Sequence, residues 1–280
     1  MIVYRTENDL SGHLLTFQNE GKTLGLVPTM GALHQGHTSL VEKATAENDI
    51  VVVTIFVNPA QFNDPSDLNH YPRTLDRDLE LLRSLEADLV FVPSVKEMYP
   101  EEDNQVFDLG NLDKVMEGKH RQGHFKGVAQ IVSKLFMLVR PHRAYFGQKD
   151  FQQLVIIRRL VEILELDLSI VACPIIREKD GLAMSSRNIR LSKEERKLAP
   201  FIFETLMEAR MKKEDLTPRQ LKEWVRLQFE LQTAFELEYF EIIEDKGLTS
   251  IEEWDDEVNK VACLAVQLGE VRLLDNLNFD

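Results

Sequence analysis

Cysteine is almost absent from this 280-residue sequence, with Cys173 and Cys263 the only two. A disulfide framework is excluded, and both thiols lie in apolar stretches where they read as small core residues. Long apolar runs are absent as well. The longest, Ile50 to Val57, is far too short to span a bilayer. The start, Met1-Ile2-Val3-Tyr4-Arg5, lacks the basic opening and apolar core of a signal peptide, which points to the cytoplasm and away from membranes. Positive charge is scarce: 33 Lys+Arg against 47 Asp+Glu leave a net charge of -14. Such a surface repels nucleic acid and anionic lipid, so an anionic substrate needs a locally basic pocket. No Pro/Gly/Ser-rich linker and no repeat interrupts the chain. Neither a Walker A sequence nor Gly-x-Gly-x-x-Gly occurs, which removes the main support for P-loop and dinucleotide-cofactor readings.

What is present is an alternation of strand and helix patterns. Strands are predicted at Leu24 to Val27, Ile50 to Val57, Asp88 to Pro93, Ala144 to Phe146, Leu168 to Ala172 and Pro174 to Arg177. The run from Ile50 is β-branched and apolar on both faces, as in a central parallel strand. Helices are predicted at about His37 to Glu47, from a Thr74 cap to about Glu86, at Gly127 to Val139, and from an Asp150 cap to about Leu164. The expected fold is α/β, a Rossmann-like doubly wound parallel sheet over residues 1–178. Past residue 180 the pattern changes. Capping boxes at Ser192 and Thr217 open helices, and strands follow at Leu237 to Ile243, Lys260 to Gln267 and Val271 to Leu274. Residues 179–280 therefore read as a smaller α+β domain closing over the active site. The junction, Arg177 to Arg187, is a natural place for a ligand cleft.

Five segments carry chemistry. Met30-Gly31-Ala32-Leu33-His34-Gln35-Gly36-His37 puts His-x-Gly-His on a strand-to-helix turn. Its glycines let backbone approach an anion, and a helix start offers free N–H groups. Its two imidazoles can donate to phosphate oxygens, with a charge that responds near neutral pH. Met184-Ser185-Ser186-Arg187 offers two hydroxyls and a guanidinium to phosphate oxygens. Gly147-Gln148-Lys149-Asp150 adds a point positive charge and a carboxylate that either accepts from ribose hydroxyls or caps its helix. Asn58 and Gln61, just past a buried strand, suit hydroxyls and a carboxylate. His120 to Gly127 is a basic cluster, either an anion collector or a solvated loop.

In this order the segments resemble the pantoate–β-alanine ligase family from Leu26 to Arg190, and again at Glu238 to Ile243 and Val271 to Asn276. The His-x-Gly-His turn by itself marks only the wider nucleotidylyl-transferase superfamily. The resemblance implies that ATP and (R)-pantoate give pantoyl adenylate and pyrophosphate, and that β-alanine then displaces AMP to give pantothenate. It places Met30 to His37, Gly147 to Asp150, the backbone at Ile176, and Met184 to Arg187 on ATP. It puts His34, His37, Lys149, Ser185, Ser186 and Arg187 at the reacting phosphates, and Gln61 and Gln153 on pantoate. It further implies Mg²⁺, with no protein ligand assigned, and a homodimer.

Some positions depart from the family pattern. Ala60 stands where Leu is usual, which would reshape the pantoate pocket, and Asn63 stands where Gly is usual. Arg77 separates Asp76 from Asp78, leaving metal ligands open, and Gln122 replaces a proline. Two other readings keep the His turn: a nucleotidylyl transferase acting on a phosphorylated acceptor, and a non-catalytic ATP-binding regulator.

Overall fold

The computed structural model describes residues 1–254 and 257–280. Among these residues, strands form two sheets. The first is parallel: β1 (Ile2–Tyr4), β2 (Leu24–Thr29), β3 (Ile50–Ile55), β4 (Leu89–Phe91), β5 (Arg143–Gly147) and β6 (Ser169–Cys173), ordered β1-β4-β3-β2-β5-β6. Strand β3 shows why both of its faces are apolar. Val52 packs with Leu10, Leu26 and Phe136 in one layer, while Val51 and Val53 pack with Val41, Ala44 and Leu82 in the other. Alternate side chains point to opposite faces, and helices cover both, so no exposed register is left for a polar residue. Helices Glu7–Asn19, His124–Val139 and Phe151–Ile163 build the first layer, and Gln35–Glu47 and Leu75–Ser84 the second.

Strand order places the crevice. From β2 the chain proceeds to β3 on one side, while β5 lies on the other. The loops after β2 and β5 therefore diverge at the carboxyl ends of the strands, the position where such sheets bind ligands. The second sheet is antiparallel: β7 (Phe235–Glu244), β8 (Lys260–Leu268) and β9 (Val271–Asn278). Helices Phe201–Met211 and Pro218–Leu231 pack on it through Leu206, Val225, Phe229, Ile242 and Leu264. The architecture is the expected doubly wound sheet with a smaller C-terminal α+β part. Among the described residues, no helix is long and apolar enough to cross a membrane.

Several local expectations need correction. Pro174 to Arg177 is not a strand. Pro174 has no N–H to give a ladder, β6 stops at Cys173, and the chain instead forms a small loop. That loop is closed by an Arg177–Ala183 bridge and by the Met184 amide donating to the Ile176 carbonyl at 3.0 Å. The helix expected from His37 begins at Gln35, and the one expected from Gly127 begins at His124. Capping boxes form at Ser192 and Thr217 as expected. Asp150 makes no side-chain cap, and neither does Thr74, whose hydroxyl donates to Asp78 instead.

Candidate active site

Strand β2 delivers the chain into a turn whose shape depends on one buried carboxylate. Ala32 lies at φ 50°, in the left-handed region. That conformation costs a residue with a Cβ about 1–2 kcal/mol. Asp78 offsets the cost: its two oxygens accept from the Ala32 and Leu33 amides, each at 2.9 Å. His34 then caps the helix Gln35–Glu47. Its Nδ1 accepts from the Gly36 amide at 3.1 Å, and His37 Nδ1 accepts from the His34 amide at 3.4 Å. This is a capping box made of two imidazoles. A Cβ on Gly36 would lie 2.8 Å from His34 Cε1, so glycine is what lets the ring fold back.

These bonds settle the histidine chemistry. With both Nδ1 atoms accepting, each neutral ring carries its proton on Nε2. Burial, helped by Lys149, pushes His34 down to about 4, with Asp150 opposing. Burial and then His34 push His37 down to about 3, again against Asp150. Both rings are therefore neutral at pH 7 and present N–H donors without charge. This corrects the expectation that their charge responds near neutral pH.

One cavity lies over the carboxyl ends of the strands, and the segments beyond four strands supply most of its polar wall. Met30, His34, Gly36 and His37 come from beyond β2, and Asn58 and Gln61 from beyond β3. Gly147, Lys149, Asp150 and Gln153 come from beyond β5. Ile176, Met184, Ser185, Ser186 and Arg187 come from beyond β6. Of the candidates, Gly31, Ala32, Leu33, Gln35 and Gln148 stay out of the wall. An apolar side formed by Phe56, Val128, Ile131 and Val132 completes it.

Asn58 is only 1% exposed, and the protein itself uses its amide. Its Nδ2 donates to Gly127 O at 3.0 Å and to Gln61 Oε1 at 3.1 Å. Its Oδ1 accepts from the Ala60 amide at 3.3 Å and the Tyr99 hydroxyl at 2.9 Å. Asn58 thus orients Gln61, leaving Gln61 Nε2 near Met30 Sδ at 3.1 Å. Ala60, at the family's usual Leu position, is exposed and its own side chain stands outside the wall. Asn63, another departure, accepts from Arg121 Nε at 3.5 Å.

The basic cluster divides by function. His120 turns to Glu238 at 3.6 Å and Lys126 is exposed, while Arg121 and His124 enter the cavity. Arg121 donates to His124 Nε2 at 3.2 Å, so His124 Nδ1–H donates to Gln61 O at 2.7 Å. Burial, then Arg121, push His124 down to about 4. Burial would raise Asp150, but Lys149, Arg187, His124 and Arg121 outweigh it and hold its carboxyl below the usual range.

Arg187 is engaged in this state. It pairs with Asp67 at 2.7 Å, shares that carboxylate with Arg190 at 3.2 Å, and sits 5.6 Å from the Tyr71 ring centre. Ser185 accepts from the Arg187 amide at 3.2 Å, and Ser186 meets the Tyr71 hydroxyl at 3.2 Å. Asp67 and Tyr71 escaped the reading of the sequence, as did the backbone-holding role of Asp78. They lie singly in a polar stretch, and only the spacing Thr74 to Asp78, one helical turn, hinted at a shared task.

Among the described residues, no three His, Cys, Asp or Glu side chains gather as a metal cage. Asp76 is exposed, and both oxygens of Asp78 are committed to backbone amides. The donor set thus does not fit a metal held by protein alone.

A parallel sheet whose switch point carries two N–H-donating imidazoles, a lysine turn and a Ser-Ser-Arg loop defines an α/β enzyme built around phosphate. The comparisons narrow that class. The sequence model of the family Pantoate-beta-alanine ligase matches residues 2–278. Pantothenate synthetase of Porphyromonas gingivalis is 51% identical over 280 residues, covering 100% of both chains. The crystal structure of pantothenate synthetase from Thermus thermophilus superposes with a TM-score of 0.91 at 40% identity, covering 100% of this chain and 99% of that one. The pantoate-beta-alanine ligase of Francisella tularensis, solved in complex with beta-gamma ATP and beta-alanine, gives 0.84 at 34% identity, covering 100% of this chain and 98% of that one. The chain belongs to the pantoate–β-alanine ligase family, whose activity is the ATP-dependent condensation of pantoate with β-alanine.

Proposed function

We propose that this cleft joins pantoate to β-alanine in two half-reactions. In the first, a pantoate carboxylate oxygen attacks the α-phosphorus of ATP, the bond to the bridging oxygen breaks, and pyrophosphate leaves. In the second, the amine of β-alanine attacks the acyl carbon of pantoyl adenylate and AMP leaves. The single observation that carries this reading is the convergence of His34, His37, Lys149 and Arg187 on the cavity that also holds Gln61 and Gln153. The first step needs no base, because the acid is already ionised at pH 7. It needs developing negative charge met by fixed donors in a partly dry site. Lys149 supplies charge, and the imidazoles supply N–H groups whose direction is fixed by their Nδ1 bonds. Arg187 exchanges Asp67 for phosphate. Gln61, oriented by Asn58, and Gln153 hold pantoate, with its branched alkyl part against the apolar side. Asp150 accepts from ribose hydroxyls.

The second step requires the ammonium of β-alanine, with a pKa of roughly 10, to lose a proton. Candidate acceptors are His37, which is neutral and so has an unprotonated ring nitrogen, and a phosphate oxygen of the adenylate. Mg²⁺ suits the reading only as an ion carried by the triphosphate and its waters, the usual way this metal is bound. We also read the protein as a cytoplasmic homodimer in which residues 179–280 close over the cleft of residues 1–178.

The test is pantoate-dependent ATP–pyrophosphate exchange without β-alanine. The expected result is exchange that requires pantoate, with His37→Ala and Lys149→Ala each at least about 100-fold slower. No exchange at any Mg²⁺ concentration would remove the adenylate.

A further inference from the structure

The reactive lysine stands on a three-residue turn, Gln148–Asp150, between β5 and the helix Phe151–Ile163. No side chain of that turn caps the helix that follows it. The fixing group comes from the second sheet. Asn276 of β9 donates one side-chain amide, Nδ2, to two successive carbonyls, Gln148 O and Lys149 O, each at 2.9 Å. Both partners accept only, so the orientation of the amide is settled: Nδ2, with its two hydrogens, faces the turn. Asn276 is 6% exposed, and its own backbone is held at both ends. Its N–H donates to Asp275 Oδ1 at 2.7 Å, and its carbonyl accepts from Arg177 Nη2 at 3.1 Å. Arg177 in turn forks onto Asp275 at 2.6 and 2.9 Å and also donates to Gly181 O at 3.0 Å. Two adjacent residues of β9 thus hold the lysine turn directly and, through Arg177, the base of the loop that carries Ser185 to Arg187.

We propose that Asn276 is a positioning residue for Lys149: it sets the path of the Gln148–Lys149 backbone and so aims the ammonium at the phosphates. One amide that satisfies two successive carbonyls fixes both peptide units at once. A charge that stabilises a transition state is sensitive to misplacement of the order of 1 Å. The inference rests on the ligase reading for the role of Lys149, but not for the hydrogen bonds themselves.

The test is a double-mutant cycle. Asn276→Asp keeps the shape and turns the donor into an acceptor facing two carbonyls; Asn276→Ser keeps a single donor. Each is made alone and in the Lys149→Ala background. ATP affinity by calorimetry and pantoate-dependent pyrophosphate exchange are measured, with thermal unfolding as the check on folding. In the parent background, Asn276→Asp should slow exchange by about 30-fold or more, and Asn276→Ser by less. In the Lys149→Ala background the same changes should slow residual exchange by less than about threefold, because the group they aim is gone. A full loss that persists without Lys149 overturns the proposal, as does exchange within about threefold of parent in a folded Asn276→Asp. If Asn276→Asp does not fold, the Asn276→Ser cycle decides by the same criterion. Should the parent itself exchange nothing with pantoate, the ligase reading fails, and the calorimetric cycle on ATP alone still decides the role of Asn276.

Discussion

A histidine whose Nδ1 accepts from a backbone amide is a fixed donor through Nε2, and that holds for His34 and His37 in their capping box. Charge at this turn would cost the cap, since a protonated ring has no acceptor left. His124 is neutral for the parallel reason that Arg121 donates to its Nε2. Its pKa in the folded protein is about 4, against an ordinary value of 6.5. The unfolded chain therefore takes up protons first as pH falls. The stability that His124 contributes is complete above pH 6.5 and is lost between there and about 4. By pH 4 that loss is on the order of 3 kcal/mol. Urea unfolding at pH 7 and pH 4.5 should show a lower midpoint at the acid end. His124→Gln should flatten the dependence, and an unchanged slope in that variant would refute the assignment.

Elements make their demands through close approach. The turn Pro59–Gln61 lies against the helix His124–Val139 at Gly127, where an added Cβ would stand 2.3 Å from Ala60 O and 2.6 Å from the Gln61 amide. Gly127→Ala should push that turn, and with it Gln61, out of register. A stability loss of about 1–3 kcal/mol is expected from the overpacking. A rise in the KM for pantoate should exceed any rise for ATP; equal effects on both would mean the turn serves the whole site. The parallel strands were legible in the sequence because burial on both faces leaves unbroken runs such as Val51-Val52-Val53. Strand β1 was not, because three residues, one exposed and two half-buried, carry no period. Pro174 to Arg177 misled, since apolar content without an N–H for the ladder imitates a strand. The loops of the cleft were legible because each motif follows a strand of known polarity. Asp67, Tyr71 and Asn276 were less so, since their partners lie far away in sequence. A trace of Asn276 was present in the paired polar residues Asp275-Asn276, both buried within a strand otherwise rich in leucine.

At the scale of the molecule, the two sheets are joined by buried charge. Glu117, at 6% exposure in the helix Met116–His120, accepts both ends of the Arg272 guanidinium at 2.7 Å and the Tyr239 hydroxyl at 2.8 Å. Burial would raise its carboxyl, but Arg272, Arg121 and Tyr239 outweigh this and hold it below the usual range. Its contribution is present above the ordinary 4.5 and fades only as pH falls through the lower value. Glu117→Ala leaves Arg272 with Glu238 alone, and should cost about 3–5 kcal/mol of stability by denaturant unfolding. A cost under about 1 kcal/mol would show that water replaces the carboxylate, as at an exposed pair. The brace on the lysine turn has a further consequence. Its amide lies 127 residues beyond the carbonyl of Lys149. During synthesis the six-stranded sheet can emerge and collapse well before that amide leaves the ribosome. Until then the Gln148 and Lys149 carbonyls lack the side-chain donor that holds them in the folded protein.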